Sequence, residues 1–546
     1  MARLLLQQPP PTQAGVQEPM LAKVCSAAVI GVDARVVEVE CDVSGGLQAF
    51  DTVGLAELAV REARVRVRSA IRHAGLRFPD GRITVNMAPA DLRKDGTSFD
   101  LALALAILAA DGRLPERDLS GWLVVGELSL TGAIRPVCGV LAVAELARQL
   151  GLHGIVCPAD NAPEALAVSG VAVRWAPTLG DLVACLRQCQ AWPEPAVVHA
   201  QPYQPRSLCW SDVRGHAHAK RALELAAAGG HNAVLCGTPG TGKTMLARRL
   251  PTILPTLTDR EAVEVTKIHS VAGLLPTRSG LLSDRPFRAP HHTASAASLV
   301  GGGSVPKPGE VSLAHRGVLF LDELPEFPRH VVETLRQPLE DGFVTVTRAR
   351  QTVRFPARAI VVAALNPCPC GHFGGQDGRC HCSAVALERY RSRLSGPMLD
   401  RIDIQLRLDA LPSEQLRGGP QGESSQQVRM RVQRARDRQL ERYANLAAHC
   451  PVSNSDACVL TNADVPMPEL RRRSPLTPAV HDLLLRALDA FGLSPRAHDR
   501  VWRVARSIAD LAGDPEIGAD HIAEALQYRW FDRAGQSLAG PRCTAP

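Results

Sequence analysis

The 546-residue chain has no apolar run of membrane-spanning length. The longest obvious one, Leu101–Ala110, is closed by Asp100 and Asp111, and falls well short of the ~20 residues that a spanning helix needs. The opening MARLLLQQPPPTQ has too short an apolar part for a secretory signal. Together these lacks predict a soluble, cytoplasmic protein with no membrane partner. Lysine is scarce and confined to Lys23, Lys94, Lys220, Lys243, Lys267 and Lys307. The net charge of +7 is therefore almost entirely arginine over acid, a general coding bias explains much of it, and it says little about nucleic acid. No internal repeat at a fixed period is visible. With no export signal, the fifteen cysteines point to reduced thiols or metal ligation rather than a disulfide framework.

The length suggests three or so domains. Residues 1–20 are expected to be disordered. Before a linker at 191–210, broken by Pro193, Pro195, Pro202 and Pro205, strand-like runs (Arg35–Cys41, Trp122–Leu128, Gly154–Cys157) alternate with helical ones (Leu58–His73, Asp100–Ala110, Val140–Leu150), so 21–190 reads as an α/β domain. After the linker, strands and helices alternate through 211–411. A hinge at Gly418–Ser425 leads to a helical region, 424–535, and a tail, 536–546.

The most specific string is Cys236-Gly237-Thr238-Pro239-Gly240-Thr241-Gly242-Lys243-Thr244, which follows the apolar Asn232–Leu235 and opens a helical run at Thr244–Leu250. It contains GxxxxGK[ST], in which a glycine-rich turn presents backbone N–H groups to phosphates, Lys243 reaches the β/γ oxygens and Thr244 offers a hydroxyl to Mg²⁺. ATP and Mg²⁺ are the expected cofactors. Gly317–Leu321 is an apolar strand ending in Asp322 and Glu323. Two acids at a buried strand end are costly unless used, and here Asp322 would hold Mg²⁺ while Glu323 polarises the attacking water. A second apolar strand, Ala359–Leu365, ends at Asn366, placed for the γ-phosphate or the water.

These and longer strings (SDVRG at 211–215, KRALELAAAGG at 220–230, RPFRAPHHTAS at 285–295, LVGGGSVPKPG at 299–309, SLAHRGVLFLDELPEF at 312–327) resemble the magnesium-chelatase-like AAA+ ATPases, specifically the ComM/YifB group, over residues 21 to 535. The resemblance implies an AAA+ P-loop α/β core with a C-terminal helical lid. It also implies a ring-forming ATPase, a hexamer, acting as a helicase in branch migration of single-stranded DNA during natural transformation and recombination. By the same resemblance, Arg401 in SGPMLDRIDI (395–404) is the arginine finger that reaches a neighbour's γ-phosphate, and Arg496 in LSPR (493–496) is the second sensor, touching the nucleotide from the lid. The other reading of Arg401 is a pairing with Asp400 or Asp403. In related ring helicases a hairpin before the first sensor strand lines the pore. Val344–Thr347 and Gln351–Phe355 alternate around a basic tip, so Arg348 and Arg350 would track DNA phosphates; a solvated surface hairpin is the other reading. The arginine-rich helix Val428–Arg442 reads as a solvated lid helix.

Cys368, Cys370, Cys380 and Cys382, in an insertion at 367–383, form two Cys-x-Cys pairs that can close a tetrahedral Zn²⁺ site. Free or redox thiols are the alternative, and His372 or His381 are substitute ligands. Because the cluster follows Asn366, metal would hold the following loop in place, with ring assembly or DNA binding rather than ATP binding depending on it. His291-His292 reads as structural or DNA-adjacent, since neighbours at i, i+1 cannot share a helix face.

In the first domain, KDGTS (94–98), GELSLTG (126–132) and IRPV (134–137) resemble the Lon-type protease domain, which has a ribosomal S5 domain 2-like α/β fold. Ser98 falls on the nucleophile position, but Leu141 takes the place of the general-base lysine, and no lysine occurs between Lys94 and Lys220. Peptidase activity is therefore not expected. A chelatase-type motor acting on a protein or porphyrin partner is the alternative function; the chain lacks that class's acidic, proline-rich segment.

Overall fold

The computed structural model describes residues 20–53, 58–92, 94, 96–115, 118–193, 208–276, 278–303, 306–348, 351–373, 379–393, 396–411, 422–447 and 461–531. The expected disordered start, the tail and most of the linker lie outside these residues. Two compact units emerge: residues 1–200 with 269–281, and residues 201–268 with 282–546. The strip His269–Leu281 clusters with the first unit although it lies within the stretch read as nucleotide core.

The first unit is a seven-stranded mixed sheet. Its strands are β1 (Met20–Ile30), β2 (Asp33–Ser44), β3 (Ala49–Val53), β4 (Arg82–Ala88), β5 (Trp122–Val124), β6 (Gly154–Val156) and β7 (Ala172–Arg174), in the order β3-β4-β2-β1-β5-β6-β7. Helices α1 (Leu58–His73), α2 (Asp100–Ala110) and α3 (Val140–Gln149) accompany it. Every residue of α2 is buried, as its apolar run Leu101–Ala110 requires. Leu141 is buried in α3. Asp100 is gripped by Arg66, with Nε–Oδ2 at 2.7 Å and Nη2–Oδ1 at 3.0 Å, and also accepts from the Leu128 amide. Its charge therefore serves the fold and is not free to activate Ser98.

The second unit centres on a five-stranded parallel sheet: β8 (Ala233–Gly237), β9 (Phe287–Arg288), β10 (Val318–Leu321), β13 (Ile360–Leu365) and β14 (Ile404–Leu408), in the order β9-β10-β13-β8-β14. β8, β10 and β13 are wholly buried apolar runs, as strands covered on both faces must be. Between β10 and β13 a hairpin, β11 (Phe343–Arg348) with β12 (Gln351–Pro356), pairs in register from Phe343↔Pro356 to Arg348↔Gln351. Val344, Val346, Val353 and Phe355 bury its apolar side.

Helices α4 (Ala217–Gly229) and α5 (Lys243–Ile253) flank β8, α6 (Ala384–Arg391) follows the cysteine cluster, and α7 (Ser425–Ala447) and α8 (Pro495–Ala512) carry the lid. Helix α8 starts as the sequence indicates, with Ser494 capping the Ala497 amide at 3.3 Å and Pro495 in its first turn.

The arginine-rich helix differs from its solvated reading. Val428, Val432, Ala435, Gln439 and Tyr443 of α7 are buried, and its arginines reach the C-terminal ends of three other helices. Arg436 donates to Ala227 O of α4 at 3.0 and 3.2 Å, Arg429 to Thr252 O of α5 at 2.6 and 3.0 Å, and Arg438 to Asp510 O of α8. The last carbonyls of a helix lack partners and carry partial negative charge, so a guanidinium is well matched to them. Desolvation nonetheless lowers Arg436 to about 10. We expect Arg436→Ala to cost about 2 kcal/mol in denaturant unfolding, the scale of a bond to a charged donor. Arg434→Ala should stay within about 0.5 kcal/mol, because that side chain is exposed and its bond is to its own helix, at Met430 O.

Candidate ATPase site

The phosphate loop leaves the C-terminal end of β8 and enters α5. Gly240 and Gly242 take left-handed φ values of +81° and +84°, which a Cβ would strain. Thr241 Oγ1 closes the turn on Thr238 O at 2.8 Å. Lys243 is buried, and desolvation lowers its pKa. Its ammonium donates to Gly237 O at 2.6 Å, Thr238 O at 3.0 Å and Asn366 Oδ1 at 3.1 Å. The lysine thus holds the loop and Asn366 together.

Register explains why three sequence-distant motifs meet. Cys236 pairs with Leu365, and Leu321 with Ala363, so Gly237, Asp322 and Asn366 emerge at one edge of the parallel sheet, the usual place for a ligand. Thr244 Oγ1 lies 2.9 Å from Asp322 Oδ2. This hydroxyl and carboxylate are the oxygen donors that Mg²⁺ takes beside a triphosphate. Glu323 adopts φ +52°, a left-handed conformation uncommon outside glycine that carries local strain. Its amide donates to Asp322 Oδ1 at 3.0 Å, and its carboxylate is half exposed, 3.4 Å from His292 Nδ1. His292 is a residue whose place beside Glu323 the sequence did not reveal; only its position shortly after β9 hinted at it.

Arg401 lies elsewhere. It precedes β14, whose Ile404 pairs with Ala233 and Leu408 with Gly237. It is therefore at the N-terminal edge of the sheet, about 13 Å of strand away from the edge that bears the phosphate loop. It pairs with Glu340 rather than with Asp400 or Asp403. Asp400 is taken by Arg496 at 3.0 Å, and Asp403 by Arg500 and His231 at 2.8 Å each. Arg496 is thus held by Asp400, the residue before Arg401, and the ion pairs of Arg496 and Arg500 dock the first turns of α8 at the edge of the sheet away from the chain's own phosphate loop.

Behind them His231 Nε2 meets Ser507 Oγ at 2.7 Å, and Asn462 donates to the same hydroxyl at 2.9 Å. His231, Asp403, Ser507 and Asn462 are all buried. This Ser-His-Asp arrangement is out of reach of substrate and ties the lid to the sheet.

The four candidate zinc ligands converge. Their sulfurs lie within 4.8 Å of one another, with Cys368–Cys370 at 3.3 Å, Cys370–Cys380 at 3.6 Å and Cys368–Cys380 at 3.8 Å. Tetrahedral zinc at ~2.3 Å from each sulfur requires separations of about 3.8 Å, so the donor set fits. His372 and His381 are not part of this group. In the pore-hairpin candidate, Arg348 ends β11, whereas Arg350 lies outside the described residues.

Family models described as "Magnesium chelatase, subunit ChlI", "Subunit ChlI of Mg-chelatase" and "Magnesium chelatase, subunit ChlI C-terminal" match residues 209–416, 39–161 and 422–529. The competence protein ComM of Haemophilus influenzae is 44% identical over 526 residues, which is 95% of this chain and 99% of that protein. The chain belongs to the magnesium-chelatase-like ComM/YifB family. YifB of Escherichia coli, described as uncharacterized, is 42% identical over 94% of this chain and 98% of its own. The magnesium-chelatase 38 kDa subunit of Rhodobacter capsulatus is 29% identical over 29% of this chain and 50% of its own length. Membership in this family implies an AAA+ ATPase. Among the described residues no helix is long and apolar enough to cross a membrane.

Proposed function

We infer that this ComM/YifB family member is a cytoplasmic, ATP-driven DNA motor that assembles as a hexameric ring and migrates branches of single-stranded DNA during transformation and recombination. The observation that carries the reading is the near full-length identity with a competence protein. The placement of Arg401 supports the ring: lying at the sheet edge away from its own phosphate loop, it suits a nucleotide held by a neighbouring subunit. Arg496, held beside it through Asp400, faces the same neighbour in this reading. A chelatase-type motor is the second reading, favoured by the family models that match three stretches of the chain.

Single-stranded and branched DNA would pass the hairpin β11–β12, with Arg348 and Arg350 on its phosphates. The double Arg→Ala variant should then bind all DNA sequences less tightly and lose roughly one to two units of log–log salt slope, with ATP binding unchanged. Affinity for single-stranded and branched DNA at several salt concentrations, beside a branch-migration assay, checks this; an unchanged slope contradicts the pore assignment.

Cys368, Cys370, Cys380 and Cys382 are assigned to Zn²⁺. Elemental analysis of protein purified without added metal should give about one zinc per chain; none would overturn the assignment.

A further inference from the structure

The turn of the cysteine cluster packs closely against the phosphate loop. Gly371 follows the first cysteine pair and adopts φ +83°. A Cβ built on it would stand 2.7 Å from Cδ and 2.8 Å from Cγ of Pro239, in the middle of the phosphate loop, and 3.9 Å from Cγ of Asn366. The backbone of the cysteine turn thus rests against the pyrrolidine ring, and only glycine allows so close an approach in a left-handed conformation. The contact is stiff on both sides. Proline cannot rotate away, and the turn is closed by the Gly371 amide on Cys368 O at 2.9 Å and the Phe373 amide on Cys368 Sγ at 3.2 Å.

The same turn is anchored just upstream. Asn366, two residues before Cys368, accepts from Lys243 Nζ. The cysteine segment therefore touches the nucleotide site at the lysine through Asn366 and at the Pro239 ring through Gly371. Cys368 is fully buried. Cys380 and Cys382 lie immediately before Ser383, which caps α6 through the Ala386 amide at 3.2 Å. A tetrahedral ion on the four sulfurs would tie this helix start to the turn that bears on Pro239. Without it no covalent link joins the two cysteine pairs, since these cysteines are free thiols.

We propose that the Cys368–Cys382 cluster is a zinc-dependent buttress of the phosphate loop, so that metal occupancy sets the affinity for nucleotide. The proposal rests on the zinc assignment above and redirects its consequence: nucleotide binding, rather than ring assembly or DNA binding, is what the metal supports first. A loop whose glycines need left-handed angles is held in shape by its surroundings, and the Gly371 turn packs against it at Pro239.

The test measures zinc content and affinity for a fluorescent ATP analogue on the full chain, as purified, after chelation under reducing conditions, and after zinc is returned. Chelation should weaken nucleotide binding roughly tenfold or more and added zinc should restore it, a change of the size expected when local strain is relieved or imposed. Gly371→Ala, which leaves all four cysteines in place, should retain zinc and a native circular dichroism spectrum yet show a comparable loss of affinity. Zinc present, with affinity unchanged on its removal or in Gly371→Ala, would overturn the buttress and leave the zinc assignment standing. Absence of zinc in the purified protein would overturn both. If chelation unfolds the chain, Gly371→Ala alone decides.

Discussion

Glu323→Gln will bind ATP about as well as the parent protein and hydrolyse it roughly 10²–10⁴ times more slowly, the usual loss when a general base is removed. The carboxylate stands one residue beyond Asp322, which is paired with Thr244. It is half exposed beside His292, so it faces space where water can stand and is not needed to hold phosphate. Lys243→Ala should behave in the opposite way and lose nucleotide binding itself, because the ammonium bonds the loop carbonyls and Asn366 at once. Equilibrium nucleotide binding and steady-state turnover on both variants separate the two roles. Near-parental turnover in Glu323→Gln would remove its assigned role.

The second large effect belongs to Arg401. Removal of an arginine finger costs 10³–10⁵ in turnover, and Arg401→Ala should approach that range with ATP binding preserved. Its position predicts how the loss can be repaired. Since Arg401 lies at the sheet edge away from its own phosphate loop, mixing Arg401→Ala with Glu323→Gln subunits should regenerate some sites with both an intact Glu323 and an intact arginine from next door. Hydrolysis should therefore recover partly in mixed rings and not in either protein alone. No recovery in well-mixed rings would place both residues in one subunit.

The nucleotide site was legible in sequence because its parts are local strings at strand ends: loop after β8, acids after β10, asparagine after β13. A parallel sheet brings such ends to one edge whatever their separation along the chain. The first-unit helices were equally plain, and α2 is apolar on every side because it is buried on every side. What stayed hidden depends on contacts between distant segments. Arg496 could be read as opening α8, but not that Asp400 would hold it at the far edge of the sheet. The arginines of α7 looked solvated because they are spread around the helix. The carbonyl ends of α4, α5 and α8 that they cap are invisible in a periodicity. The strip 269–281 carries no compositional sign that it clusters with the first unit. The approach of Gly371 to Pro239 joins two segments far apart in the chain, and nothing local in the sequence marks it.

Whether DNA drives the turnover of this ATPase is measured by ATP hydrolysis of the purified full chain with and without single-stranded DNA, compared with a porphyrin-bearing partner and with unfolded protein. Single-stranded DNA should raise the rate and the other two should not, as expected of a DNA motor. A rate indifferent to DNA but raised by the porphyrin partner would contradict it and leave the chelatase-type motor in its place.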